Sequence, residues 1–203
     1  MVSYKRLSIP FQLLSWYLVF NFLDNVANRI VISLYGNNLV ILHIETLANL
    51  VFFSLIYNAL FKNKYMKMSV LIFLILGILL YIINFLFIQP YNKVFPSTML
   101  LFNELLFVAY SMVLFKQMLQ YPLQINITQQ SLFWYNTAIL FFYSTMVVNF
   151  ALINYYYTHN FQSNIESYFW YFSDITFNLL LGFAVFMDRE TLYRVAPLKI
   201  YKR

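Results

Sequence analysis

An all-α fold is predicted: a bundle of six membrane-spanning helices with both termini in the cytoplasm. Three observations predict it. The 203 residues are 62% hydrophobic and 10% charged, well below the roughly 25% charged residues of soluble domains. The apolar residues fall into six runs, each about 20 residues or longer, the length a helix needs to cross a hydrocarbon core of ~30 Å. The basic residues concentrate in alternate connections, as expected when those connections lie on the cytoplasmic side. The gaps between runs, at most about a dozen residues, are too short to fold separately, so residues 1–203 are read as a single transmembrane domain.

The first helix, about 9–35, opens with Pro10 in its first turn, where the missing N–H costs nothing. Lys5 and Arg6 ahead of an apolar stretch give this opening the look of a signal peptide. No small-residue cleavage site follows Phe22, so it is read as a retained helix. Its first half is apolar, whereas Asn21, Asp24, Asn25 and Asn28 line one face of its second half and Arg29 adjoins them. Gly36, Asn37 and Asn38 make a short turn. The second helix, about 39–61, must return antiparallel, carrying His43 and Glu45 near its start.

The third helix, about 68–88, holds no charge and is the best candidate for a lipid-facing helix. A loop with Pro90 and Pro96 leads to Ser97, placed to cap a fourth helix over 97–120 that carries Glu104. The connection after it contains Asn126, Ile127 and Thr128, formally a glycosylation triplet, on what the charge pattern makes the cytoplasmic side. The fifth helix, about 131–156, carries Asn136 and Asn149. The sixth, about 163–187, precedes a basic tail at 188–203.

Charge sets the expected orientation. Lys5, Arg6, Lys62, Lys64, Lys67, Lys116, Arg189, Arg194, Lys199, Lys202 and Arg203 fall on one side, leaving only Arg29 and Lys93 on the other. That side is the cytoplasmic one, which places the chain in the cytoplasmic (inner) membrane. The net charge of +6 is thereby explained as a topology signal and an attraction to anionic lipid at the cytoplasmic face. No groove-reading motif accompanies it, so nucleic acid is not expected as a partner.

The sixth helix has an acid in its interior. Ser167, Tyr171, Asp174, Asn178 and Gly182 recur at helical spacing and share one face. Asp174, nine residues on from Ile165, would lie roughly 14 Å into the membrane at 1.5 Å per residue. An acid there costs about 2.5–3.5 kcal/mol on insertion scales, so it is expected to face protein or water. Asp24, Glu45, Glu104, Glu166 and Asp174 all map to the outward halves of their helices. The polar residues at similar depth predict an outward-facing ligand pocket made by Asp24, Asn28, His43, Glu104, Asn149, Trp170, Tyr171, Asp174 and Asn178.

Several chemistries find no support. His43 and His159 are the only histidines and cysteine is absent, which excludes a three-histidine zinc site and any thiolate site. His43 and Glu45 point to different faces of a helix. No serine lies in a Gly-x-Ser-x-Gly context. No catalytic residue, metal or cofactor is assigned, and enzymatic activity is not the expected role. The spans look continuous, with all five prolines at helix ends or in loops, which also disfavours a carrier or channel.

The segments His43-Ile44-Glu45-Thr46, Phe87-Ile88-Gln89 followed by Ser97 and Glu104, Phe133-Trp134-Tyr135-Asn136, and Val148-Asn149-Phe150 through Asn154-Tyr155 resemble a family of uncharacterised small bacterial integral membrane proteins with six helices. The similarity covers most of the chain in the same order. Where that family carries an acid in its second helix, this chain has Asn49. Members look like neighbours of sensor kinases, so the resemblance implies a sensory or signalling role by association. The expected function is therefore a multi-pass sensory or regulatory component that relays ligand binding to a sensor kinase or another cytoplasmic or membrane partner. The alternative is an accessory or structural subunit of a larger membrane complex.

Overall fold

The computed structural model describes residue 4 and residues 7–90, 95–120, 126–158 and 165–195, with the side chains of 153–167 and 189–195 outside that description. His159 and Lys93 lie outside the described residues. Among those described there are six α-helices and no strand. They are α1 (Ile9–Tyr35), α2 (Leu39–Leu60), α3 (Lys64–Ile83), α4 (Ser97–Gln120), α5 (Ser131–Thr158) and α6 (Ile165–Val195). A π-helical turn, Asn84–Ile88, closes α3, and a 3-10 turn, Ile127–Gln129, precedes α5.

Five stretches are long and apolar enough to cross a membrane: Leu39–Leu60, Lys64–Ile88, Ser97–Gln120, Ser131–Leu152 and Tyr168–Asp188. Helix α1 is 27 residues long, ample for a crossing. Its polar second half, from Asn21 to Arg29, keeps it below the apolar level of the others.

Some helix ends differ from the sequence expectation for local reasons. Helix α3 begins at Lys64 rather than near 68, because the Asn63 side chain accepts the Tyr65 N–H at 2.8 Å and satisfies an otherwise orphaned donor. Ser97 is the first residue of α4 rather than its cap. The capping is done from a distance: Gln89 Oε1 accepts the Thr98 N–H at 3.2 Å, and Gln89 Nε2 donates to Ser97 Oγ at 2.8 Å. Helix α6 runs to Val195 instead of yielding to a tail at 188, since Asp188 is a buried, hydrogen-bonded helical residue.

The chain forms two compact units, Ile9–Asn103 and Met1–Ser8 with Glu104–Arg203. In Ile9–Asn103, Gly36 takes φ +74°, a left-handed conformation suited to glycine. Its N–H donates to Ile32 O at 2.9 Å and ends α1. Tyr17 then packs on Phe53 and Phe52, with ring centroids 4.6 and 5.8 Å away. The core is Leu14, Tyr17, Leu50, Phe53, Ile56 and Tyr57. Gly77 on α3 is pressed against α2 and α4: a Cβ there would lie 2.8 Å from Leu50 Cδ2 and 3.2 Å from Phe102 Cε1. Lipid is as apolar as leucine, so helix association in a membrane relies on such close fits and on interhelical hydrogen bonds.

The second unit is built on α4, α5 and α6. Ser111 and Asn136 are bonded across α4 and α5. Phe107 lies 4.9 Å from Tyr143, and Phe142 stacks on Phe177 at 4.3 Å. Trp134 meets Phe183 at 4.9 Å, edge on, while its Nε1 donates to Thr128 O at 2.7 Å. Asp188 accepts from the Ser8 N–H at 2.9 Å, from Ser8 Oγ at 3.1 Å and from Ser131 Oγ at 3.2 Å. One carboxylate thus serves the residue before α1 and the first residue of α5, where free N–H groups favour an anion.

Candidate functional site

The nine residues expected to line a pocket divide between the units. In Ile9–Asn103, Asp24 is buried and accepts from Asn28 Nδ2 at 2.8 Å. Asn28 Oδ1 in turn accepts from Asn38 Nδ2 at 2.9 Å. The i, i+4 spacing on α1 brings the first two together. Asn38, a turn residue in the sequence reading, extends the chain to three. His43 is fully buried; its ring meets Tyr81 and Phe85 edge on, and its backbone carbonyl accepts the Tyr81 hydroxyl at 2.8 Å.

Two residues of this unit were not singled out by sequence reasoning. Asn84, on the π-helical turn, is 2% exposed, and neither atom of its side-chain amide has a hydrogen-bond partner among the described residues. Asn103 donates from Nδ2 to Thr46 O at 2.9 Å, and its Oδ1 is unpartnered among the described residues. A π-helical turn widens the backbone and recurs at functional sites, but no residue pattern announces it. Tyr81 joins α3 to His43, Asn103 joins α4 to Thr46, and Asp24 and Asn28 lie toward the turn at Gly36. These polar groups therefore gather toward one end of the unit.

In the second unit Glu104 is 3% exposed, and its Oε2 has no hydrogen-bond partner among the described residues. Asn149 is buried with Oδ1 likewise unpartnered. Trp170 is half-buried and edge on to Phe150 at 6.4 Å. The pairs Ser111–Asn136, Phe107–Tyr143, Phe142–Phe177 and Phe150–Trp170 fix an antiparallel register. In that register Glu104, Asn149 and Trp170 lie toward one end of the three helices, and Asp188 lies toward the other. A buried polar atom with no partner costs about 1–3 kcal/mol, a cost that a hydrogen-bonding guest or water would relieve.

The remaining three residues differ. Tyr171 is 66% exposed and Asp174 and Asn178 are half-buried. Asp174 Oδ1 accepts from Asn178 Nδ2 at 3.1 Å, one turn along the same helix. The face of α6 that packs inside the unit is the adjoining one, with Ser173, Phe177, Leu181, Ala184 and Asp188. Among the described residues, no three His, Asp or Glu side chains come together as a set of metal ligands.

The fold and these polar ends define an all-helical protein with five helices fit to cross a membrane. No protein-family model matches the chain, and no curated protein or solved structure matches it.

Proposed function

We propose that the chain is a six-span protein of the cytoplasmic membrane, both termini inside, which binds a small polar molecule, ion or lipid headgroup from the outer side. Binding is relayed to a sensor kinase or another cytoplasmic or membrane partner. The observation that carries this reading is Glu104 with Asn149: two side chains buried within apolar helices, each with an oxygen lacking a donor among the described residues. Intramembrane acids are expensive and are retained chiefly for function. The distribution of lysine and arginine supports the sidedness, and with it the end of each unit that holds the polar groups faces outward. The resemblance to the six-helix bacterial family supports the regulatory role.

The absence of cysteine makes the test direct. Glu104→Cys and Asn149→Cys are expected to react with a small membrane-impermeant thiol reagent added to the outer side of intact cells. Reagent-resistant cysteines at both positions, in a protein that inserts normally, would refute a pocket open to that side. Carboxyl-terminal reporter fusions test the sidedness separately, with a cytoplasmic signal expected.

A second reading, an accessory subunit of a larger complex, is favoured by one specific observation: the acid on α6 lies on a face exposed in this chain.

A further inference from the structure

The α6 face that carries Asp174 has three properties in combination. Its large side chains are open: Tyr171, Ile175 and Leu179 are 60–69% exposed. Its glycine is open as well, since a Cβ at Gly182 would meet nothing within 4 Å. Between them, Asp174 accepts from Asn178 of its own helix and faces no cation among the described residues.

Of three candidate covers, two meet a physical obstacle. Lipid tails offer no donor to a carboxylate. A second copy of this chain in parallel two-fold contact would bring residue against identical residue, Asp174 against Asp174, which is repulsive. A helix of another protein with a lysine or arginine at the same depth supplies the missing charge. Gly182, two turns along the same face, lets its backbone approach closely, as small residues do between membrane helices.

We infer that the α6 face formed by Tyr171, Asp174, Asn178 and Gly182 is a docking surface for a single transmembrane helix of a different protein, one that presents a basic side chain level with Asp174. This rests on the proposed membrane-spanning role of α6 and gives the proposed membrane partner a defined seat. Occupancy at the polar ends and docking on α6 are separate features, because Ser173 and Phe177, not Asp174, point into the unit.

The test uses the full-length chain in liposomes with a synthetic leucine helix of about 20 residues, carrying either one central lysine or none, and association is read by energy transfer. The lysine helix is expected to associate at least about fivefold more tightly than its all-leucine counterpart. Asp174→Leu should abolish that preference, Asp174→Asn should reduce it, and Gly182→Leu should weaken association of both helices. Equal association of the two helices, or a lysine preference that survives Asp174→Leu, overturns the proposal. Disulfide cross-linking of Ile175→Cys to another copy of the same chain, with no lysine preference, overturns it in favour of self-association. If α6 proves not to lie across the membrane, the six-span reading fails with it; loss of preference alone, with α6 inserted, leaves that reading standing.

Discussion

Ser111 and Asn136 exchange hydrogen bonds across α4 and α5: the Ser111 hydroxyl donates to Asn136 O at 3.1 Å, and Asn136 Nδ2 donates to Ser111 O at 2.9 Å. Both residues are fully buried. Interhelical hydrogen bonds in membranes average about 0.6 kcal/mol and reach about 1.7. Asn136→Ala is expected to cost somewhat more than the upper figure, because it also opens a cavity. Thermal unfolding in detergent, combined with Ser111→Ala in a double-mutant cycle, reads the coupling between them; strict additivity would show that the pair does not act as a unit.

The two helical glycines should respond in opposite ways. At Gly77 a larger side chain meets Leu50, itself fully buried, and Phe102. Gly77→Leu is expected to destabilise the protein by about 1–3 kcal/mol through overpacking. Gly182→Leu meets open space and should leave the isolated protein as stable or more so by up to about 1 kcal/mol, since glycine is a poor helix former. Side-by-side melting temperatures decide it.

Asp188 accepts three hydrogen bonds from two serines while nearly fully buried. Asp188→Ala leaves all three donors without their acceptor and should cost about 2–4 kcal/mol. Ser131→Ala removes one and should cost about 1 kcal/mol. If the two variants unfold at the same temperature, the carboxylate is not the hub its geometry describes.

Gln89 stands in for the cap that α4 lacks at its own start. Gln89→Leu should raise amide hydrogen exchange at Thr98 and the next turn, with a loss of about 0.5–2 kcal/mol as for other caps. Exchange unchanged at Thr98 would mean that water caps the helix equally well.

What the residue pattern discloses here is the number of helices, the limits of α4 and the turn at Gly36. These depend on runs of apolar residues and on glycine, both local signals. Asn84 and Asn103 escape detection because a lone asparagine in an apolar stretch has no period to betray it. The π-helical turn at Asn84–Ile88 escapes because neither glycine nor proline marks it. Helical spacing correctly groups Tyr171, Asp174, Asn178 and Gly182 on one face. It is silent about which face a neighbouring helix covers, and α5 covers the other one. The continuation of α6 past 187 is hidden because hydropathy falls away while hydrogen-bonded helix persists.

The bonds from Ser8 and Ser131 to Asp188 join the segment ahead of α1 and the start of α5 to a residue of α6. During synthesis Ser8 emerges 180 residues ahead of its acceptor, so until Asp188 is made its donors must be occupied by water or lipid headgroups. This knot is therefore tied only after α6 has been delivered. A nascent chain released before that point would possess α1 to α5 yet leave the donors of Ser8 and Ser131 without their acceptor.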